Sequence, residues 1–186
     1  FDGDRKLKAG SALPRAVETA GAGLAEALFD TASLARQGGA NDLTLVFSRL
    51  ALGLRPDFPL AQLLLADVLS RQGRLDEAEP IYHAIDPASP AADYARLRLA
   101  VNFDEAGRTD EAVAELRRMV ALRPEGYDAA MTLGDVLRTH KRFAEAAEAY
   151  DLALRRAGAG GSGPAVAASP NPQLWPLFYA RGIALE

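Results

Sequence analysis

From residue 21 onward, apolar side chains recur three and four positions apart, the spacing that gathers them on one stripe of an α-helix. Leu24, Ala27, Leu28, Thr31 and Leu34 set the first stripe, and Gly38-Gly39 ends it. A second helix is predicted from Asn41 or Asp42 to Leu54, stopped by Arg55-Pro56 because proline disfavours helix at the residue before it. Pro59 restarts the chain at a first helical turn, where its missing N–H costs nothing, and Leu60, Leu63, Leu64, Ala66 and Leu69 carry that helix to Gln72. Gly73 supplies the left-handed cap, and Asp76 and Glu77 put negative charge at the start of the next helix. Pro80 falls inside that helix and removes a backbone bond, so a bent or late-starting helix ending near Asp86 is expected.

The pattern continues. Ser89-Pro90 reads as an N-cap followed by an N1 proline, opening a helix through Tyr94, Leu97, Leu99, Ala100 and Phe103 that stops at Gly107. Thr109-Asp110-Glu111 is expected to cap and charge the next start, with Arg117, Arg118 and Arg123 loading its far end. Helices over 126–140 and 143–157 follow. Residues 158–172 then switch to glycine, alanine, serine and proline, a linker composition, before Trp175 to Glu186 resumes helical spacing. Residues 1–20 lack periodicity and are expected to form an extended or poorly ordered lead-in. Absence of an initial methionine suggests a piece of a longer chain.

Two stretches give away a repeat. Gly73-Arg-Leu-Asp-Glu-Ala78 and Gly107-Arg-Thr-Asp-Glu-Ala112 lie 34 residues apart, and the same step from Ala112 reaches Ala146. Leu65-Ala66, Gly73, Ala78, Tyr82 and Pro90 are matched by Leu99-Ala100, Gly107, Ala112, Leu116 and Pro124, then by Leu133-Gly134, Phe143, Ala146, Tyr150 and Ala153. Small residues at fixed places allow two helices to cross closely, with a larger side chain filling the adjoining gap. These residues resemble the tetratricopeptide repeat over roughly residues 21–157. The resemblance implies an all-α, right-handed superhelical solenoid of four helix-turn-helix hairpins, the first divergent, plus an orphan helix aligned on Gly182. In the first unit Gly38-Gly39 implies a loop one residue longer, and Thr44 and Ser48 stand where alanine and tyrosine are expected. The chain is also similar to the C-terminal half of long tetratricopeptide proteins of high-GC proteobacteria, which implies a lean towards the cell envelope.

Composition narrows the function classes. The 186 residues are 49% hydrophobic and 25% charged, as a packed soluble domain requires. A net charge of −4 with interspersed signs gives no electrostatic footprint for nucleic acid. No apolar run is long enough to span a membrane. The lack of cysteine suits a reducing or an oxidising compartment equally. Gly158 to Gly163 satisfies a dinucleotide-binding spacing but follows a helix and leads into prolines, so it reads as linker. His83 and His140 have no partner at metal-ligand spacing, and Asp76-Glu77 and Asp110-Glu111 repeat at helix starts, where they serve the helix dipole. No catalytic site, metal or cofactor is predicted.

What remains is an interaction surface. In a solenoid of this kind the first helix of each hairpin lines a concave face, and residues one repeat apart form ladders along it. Leu63, Leu97 and Met131 form one rung, Leu60, Tyr94 and Asp128 a second, and Asp67, Val101 and Asp135 a third, with Asp104 and Arg138 near the helix ends. The expected ligand is a protein or peptide with apolar anchors and a basic residue or two. The competing reading of the middle rung is plain packing. Two further readings compete with the scaffold: self-association through the terminal helix, with Trp175, Phe178 and Tyr179 exposed for a second copy, and a regulatory segment of a larger enzyme.

Overall fold

A computed structural model describes residues 19–123, 126–159 and 175–185. Among these residues the chain is all helix, with no strand. The helices are α1 (Ala20–Gln37), α2 (Asn41–Leu54), α3 (Pro59–Arg71), α4 (Leu75–Ala84), α5 (Ala92–Glu105), α6 (Thr109–Leu122), α7 (Asp128–Thr139), α8 (Phe143–Ala159) and α9 (Trp175–Leu185). Successive pairs form four antiparallel hairpins that stack into a helical-repeat solenoid, and α9 packs against α8. Residues 1–18 of the expected lead-in and 160–172 of the expected linker lie outside the described residues; of the remainder, Ala20 opens α1 and residues 158–159 belong to α8. Where it can be followed, α8 runs two residues beyond its predicted end.

Each hairpin turns by the same device. The backbone enters the left-handed region at Gly39, Gly73, Gly107 and Lys141, with φ of 76°, 74°, 76° and 59°. At each place the N–H of the following residue reaches back to a carbonyl five residues earlier: Ala40 to Ala35, Arg74 to Leu69, Arg108 to Phe103 and Arg142 to Leu137, at 2.8–3.0 Å. That is the 6→1 bond of a Schellman cap. The first loop is therefore not one residue longer; Gly39 already sits 34 residues before Gly73, and Gly38 is the last residue before the turn.

The crossings inside the hairpins follow the same interval. Ala32, Ala66, Ala100 and Gly134 are buried in the first helices, and Thr44, Ala78, Ala112 and Ala146 are fully buried in the second. Thr44 fits the alanine position because its hydroxyl bonds back to the Ala40 carbonyl at 3.0 Å, so α2 forms despite its divergent sequence. Ser48, in the tyrosine position, is also fully buried, and its hydroxyl has no partner among the described residues.

Several local expectations need correction. Helix α4 begins at Leu75 and passes through Pro80 without a delayed start, then ends at Ala84, where Ile85 turns extended. Ser89-Pro90 forms a turn, with the Ala91 N–H donating to the Ser89 hydroxyl at 3.2 Å, and α5 begins only at Ala92. Thr109 does not cap α6; Arg108 occupies the N-cap. What secures the helix start is a two-pronged arginine–glutamate pair. Arg74, Arg108 and Arg142 each grip the glutamate three residues on, Glu77, Glu111 and Glu145, through Nε and Nη2 at 2.7–2.8 Å. Those guanidinium hydrogen bonds hold the three glutamates below the usual carboxylate range.

Candidate functional site

The first helices α3, α5 and α7 bring the predicted rungs side by side, but the residues on them have different fates. Leu63, Leu97 and Met131 are half-buried and pack against the main core cluster, so the middle rung is partly packing. Leu60 and Tyr94 remain half exposed at the N-terminal ends of α3 and α5, and Asp128 is exposed in the first turn of α7.

Two of these three converge. Tyr94 and Leu97 on α5, Asp128 and Ala129 on α7, and Met119 with Arg123 at the end of α6 line a cavity of about 490 Å³, bounded also by Pro90, Asp93 and Gly126. Its walls are mainly apolar. Asp93 and Arg123 form an ion pair across the rim at 3.1 Å, whereas the Asp128 carboxylate has no partner among the described residues. Arg156 on α8 braces the loop from behind, donating to the carbonyls of Val120, Arg123 and Gly126 at 3.0–3.2 Å. Leu60, Leu63 and Met131 lie outside the cavity lining.

The remaining carboxylates are not free. Asp67 is only 5% exposed, accepting a hydrogen bond from the Tyr82 hydroxyl at 2.7 Å and one from Arg98 Nε at 3.3 Å, with Arg36 Nη1 at 3.6 Å. Asn102 extends this cluster by donating to Ser70 at 2.9 Å and to Tyr82 at 3.2 Å. Side chains from α1, α3, α4 and α5 are thus tied into one network, and with two arginines around one carboxylate its local charge is positive rather than acidic. Asp135 repeats part of the arrangement, accepting from Tyr150 at 2.8 Å, with Arg138 Nε donating to the same hydroxyl at 3.3 Å. Burial, reinforced by the neighbouring aspartates, pushes both Tyr82 and Tyr150 up to about 12. Between them the third hairpin substitutes Val101 and Leu116, an apolar pair at the same two positions. Asp104 accepts from Thr109 at 3.0 Å and bonds His140 at 2.7 Å, so His140 links the third hairpin to the fourth.

Sequence reasoning therefore missed Tyr82, Arg36, Arg98, Asn102 and His140 as polar links, and Met119 as a cavity wall. One signal was available: aspartate and tyrosine fifteen residues apart, at 67 and 82 and again at 135 and 150, two repeats later. The terminal-helix residues divide. The side chains of Trp175 and Phe178 are outside the described set, and Tyr179 is exposed. Helix α9 packs back on α8: Ala184 joins the main core cluster, Ala180 packs against it and Arg181 pairs with Asp151 on α8.

No helix of the described residues is long and apolar enough to cross a membrane, and no cluster of potential metal ligands occurs among them. Comparison with known proteins agrees with the architecture. Two family models described as tetratricopeptide repeat match residues 39–100 and 97–162. None of the curated proteins matches the chain. Among solved structures, a crystal structure of MamA aligns over 87% of this chain and 80% of its own, with 18% identity and a TM-score of 0.63. PilW, a widely conserved type IV pilus biogenesis factor, aligns over 72% of this chain and 62% of its own, with 21% identity and a TM-score of 0.62. YrrB, a TPR protein with an unusual peptide-binding site, aligns over 84% and 74%, with 17% identity and a TM-score of 0.57. At such identities the likeness is one of fold. The two sequence matches together span residues 39–162, and the chain belongs to the tetratricopeptide repeat family, whose members are generally non-enzymatic interaction modules.

Proposed function

We propose that the chain is a protein-interaction scaffold that seats a peptide or partner helix on its concave face, anchored between α5 and α7. The observation that carries this reading is the convergence of Tyr94, Leu97, Met119 and Asp128 on one cavity of about 490 Å³. Its mainly apolar walls reward burial of an apolar side chain of the ligand. Asp128 gives a cation at the mouth a carboxylate to meet, so the favoured ligand carries an apolar anchor next to lysine or arginine. The buried Asp67 carboxylate is already paired with Tyr82, Arg98 and Arg36 and takes no part in charge recognition of a basic ligand.

A peptide-display selection against the chain, followed by fluorescence anisotropy on the enriched sequences, tests this. Enriched peptides should pair an aromatic or branched apolar residue with a basic one. Tyr94→Ala, at an exposed position, should weaken them about ten-fold without lowering the melting temperature, and Asp128→Asn should weaken them most at low salt. Peptides that bind both variants like the parent would place the contact elsewhere.

A further inference from the structure

The solenoid has one inter-hairpin face that no described residue covers. In the second hairpin, Phe58, Ala61, Leu65 and Val68 of the α3 segment are all buried, with Val68 1% exposed. They pack beneath the first hairpin: Phe58 and Ala61 share a cluster with Ala25, Ala51, Leu28, Phe29 and Leu52, and the Phe58 ring lies 5.1 Å from that of Phe29. In the third hairpin the same positions, Ala92, Ala95, Leu99 and Asn102, are buried again. One repeat earlier they are Leu24, Ala27, Thr31 and Leu34, and all four are exposed, Leu24 by 53% and Leu34 by 67%. The repeat keeps apolar side chains at both ends of that stripe, where no described residue covers them.

Helix α2 extends the face. Leu43, Val46, Leu50 and Leu54 are each about half exposed. The register position of Leu43 is held later by Glu77 and Glu145, which are met across the hairpin boundary by Arg49 at 3.4 Å and Arg117 at 2.6 Å. Position 43 therefore looks towards whatever precedes the first hairpin. The arginine that should grip it from its own turn is also replaced, by Ala40. Ion pairing at this boundary has been exchanged for apolar contact on both counts.

We infer that the outer face of α1 and α2 is a docking surface for a further helical hairpin of the same repeat, one that presents an uncharged apolar side chain where Arg49 and Arg117 stand at the later boundaries. Continuity with the internal interfaces identifies the occupant: each boundary is built from the second helix of one hairpin laid on the first helix of the next, and the exposed stripe is the receiving half of that joint. Leu24, Leu34 and Leu43 stand where the later boundaries place buried or ion-paired side chains, and their burial would give the joint its driving force.

The test inserts a copy of residues 58–91, carrying His83→Leu in the copy so that the position of Arg49 and Arg117 is apolar, directly before Leu24 of the full chain, which puts Leu24 in the register of Ala92 and sets a hairpin on the face. Amide hydrogen exchange is then followed in α1 and α2, with α5 to α8 as the internal reference for correct folding. Exchange in α1 and α2 should slow at least about ten-fold, and Leu34→Glu in the inserted chain should return it to the parent rate. Unchanged exchange, or slowing that survives Leu34→Glu, overturns the inference. So does light scattering showing the uninserted chain to be a dimer whose α1 and α2 amides gain protection with concentration, since the occupant is then a second copy.

Discussion

A β-carbon placed on Gly134 would lie 2.5 Å from the Tyr150 ring, so the crossing of α7 and α8 is closed to even a methyl group. Gly134→Ala should cost about 1–3 kcal/mol in urea unfolding, because the ring has nowhere to retreat in a packed core. Lys141 is the opposite case: it holds a φ of 59° at the place where the other three hairpins use glycine. Lys141→Gly should raise stability by about 0.5–1 kcal/mol, relief of left-handed strain outweighing the entropy gained by the unfolded chain. The two buried tyrosines govern the alkaline limb of stability. Their hydroxyls titrate near 12 when folded and near 10 when unfolded, so the stabilisation they contribute is complete below pH 10 and is lost as the pH rises towards 12. A stability–pH profile by circular dichroism should fall across that window, and Tyr82→Phe with Tyr150→Phe should flatten it. Small residues were legible at this scale because only one physical demand, close approach, selects them. Asp67 was not, since its two arginines lie 31 residues to either side and nothing local announces that they meet.

Between elements, the Asp67–Tyr82 and Asp135–Tyr150 pairs and the intervening Val101–Leu116 pair are two solutions to one packing problem. Asp67→Val alone leaves Tyr82, Arg36 and Arg98 without their acceptor and should cost about 2–3 kcal/mol. Adding Tyr82→Leu copies the third hairpin and should recover part of the loss, giving a coupling of about 1 kcal/mol in a double-mutant cycle of urea melts. Strict additivity would show that the two side chains do not act as a unit. Helix identity and order were legible because the apolar spacing, prolines and turn glycines agreed with one another. Starts were less so: Ser89-Pro90 and Thr109 carry good capping residues, but a neighbouring hydrogen bond claims each hydroxyl first. The cavity was half legible, its Tyr94 and Leu97 wall being set by periodicity, whereas Met119 and Arg123 come from the preceding second helix and enter only once the stacking angle is fixed.

Across the whole molecule, stability is close to a sum over hairpins and their boundaries, as expected for a stack in which each unit touches only its neighbours. Helix α9 is then the covering element of the fourth hairpin, and a chain ending at Ala159 should melt several degrees lower than the full chain, since Ala180 and Ala184 leave the core cluster with it. An unchanged melting temperature would mean that α9 rests on α8 without stabilising it.

The recurrence of the left-handed turn at residues 39, 73, 107 and 141 sets a rule for how such a chain can change length. Each reversal is closed by bonds within its own six residues, so no turn depends on which hairpin lies before or after it. Loss or gain of 34 residues hands the next helix the same partner surface in the same phase, whereas one residue added or removed inside a helix rotates the rest of that helix's stripe by about 100° and turns its apolar side to water. Growth by whole cassettes is thus the change of length that this backbone accommodates without redesign of the joints.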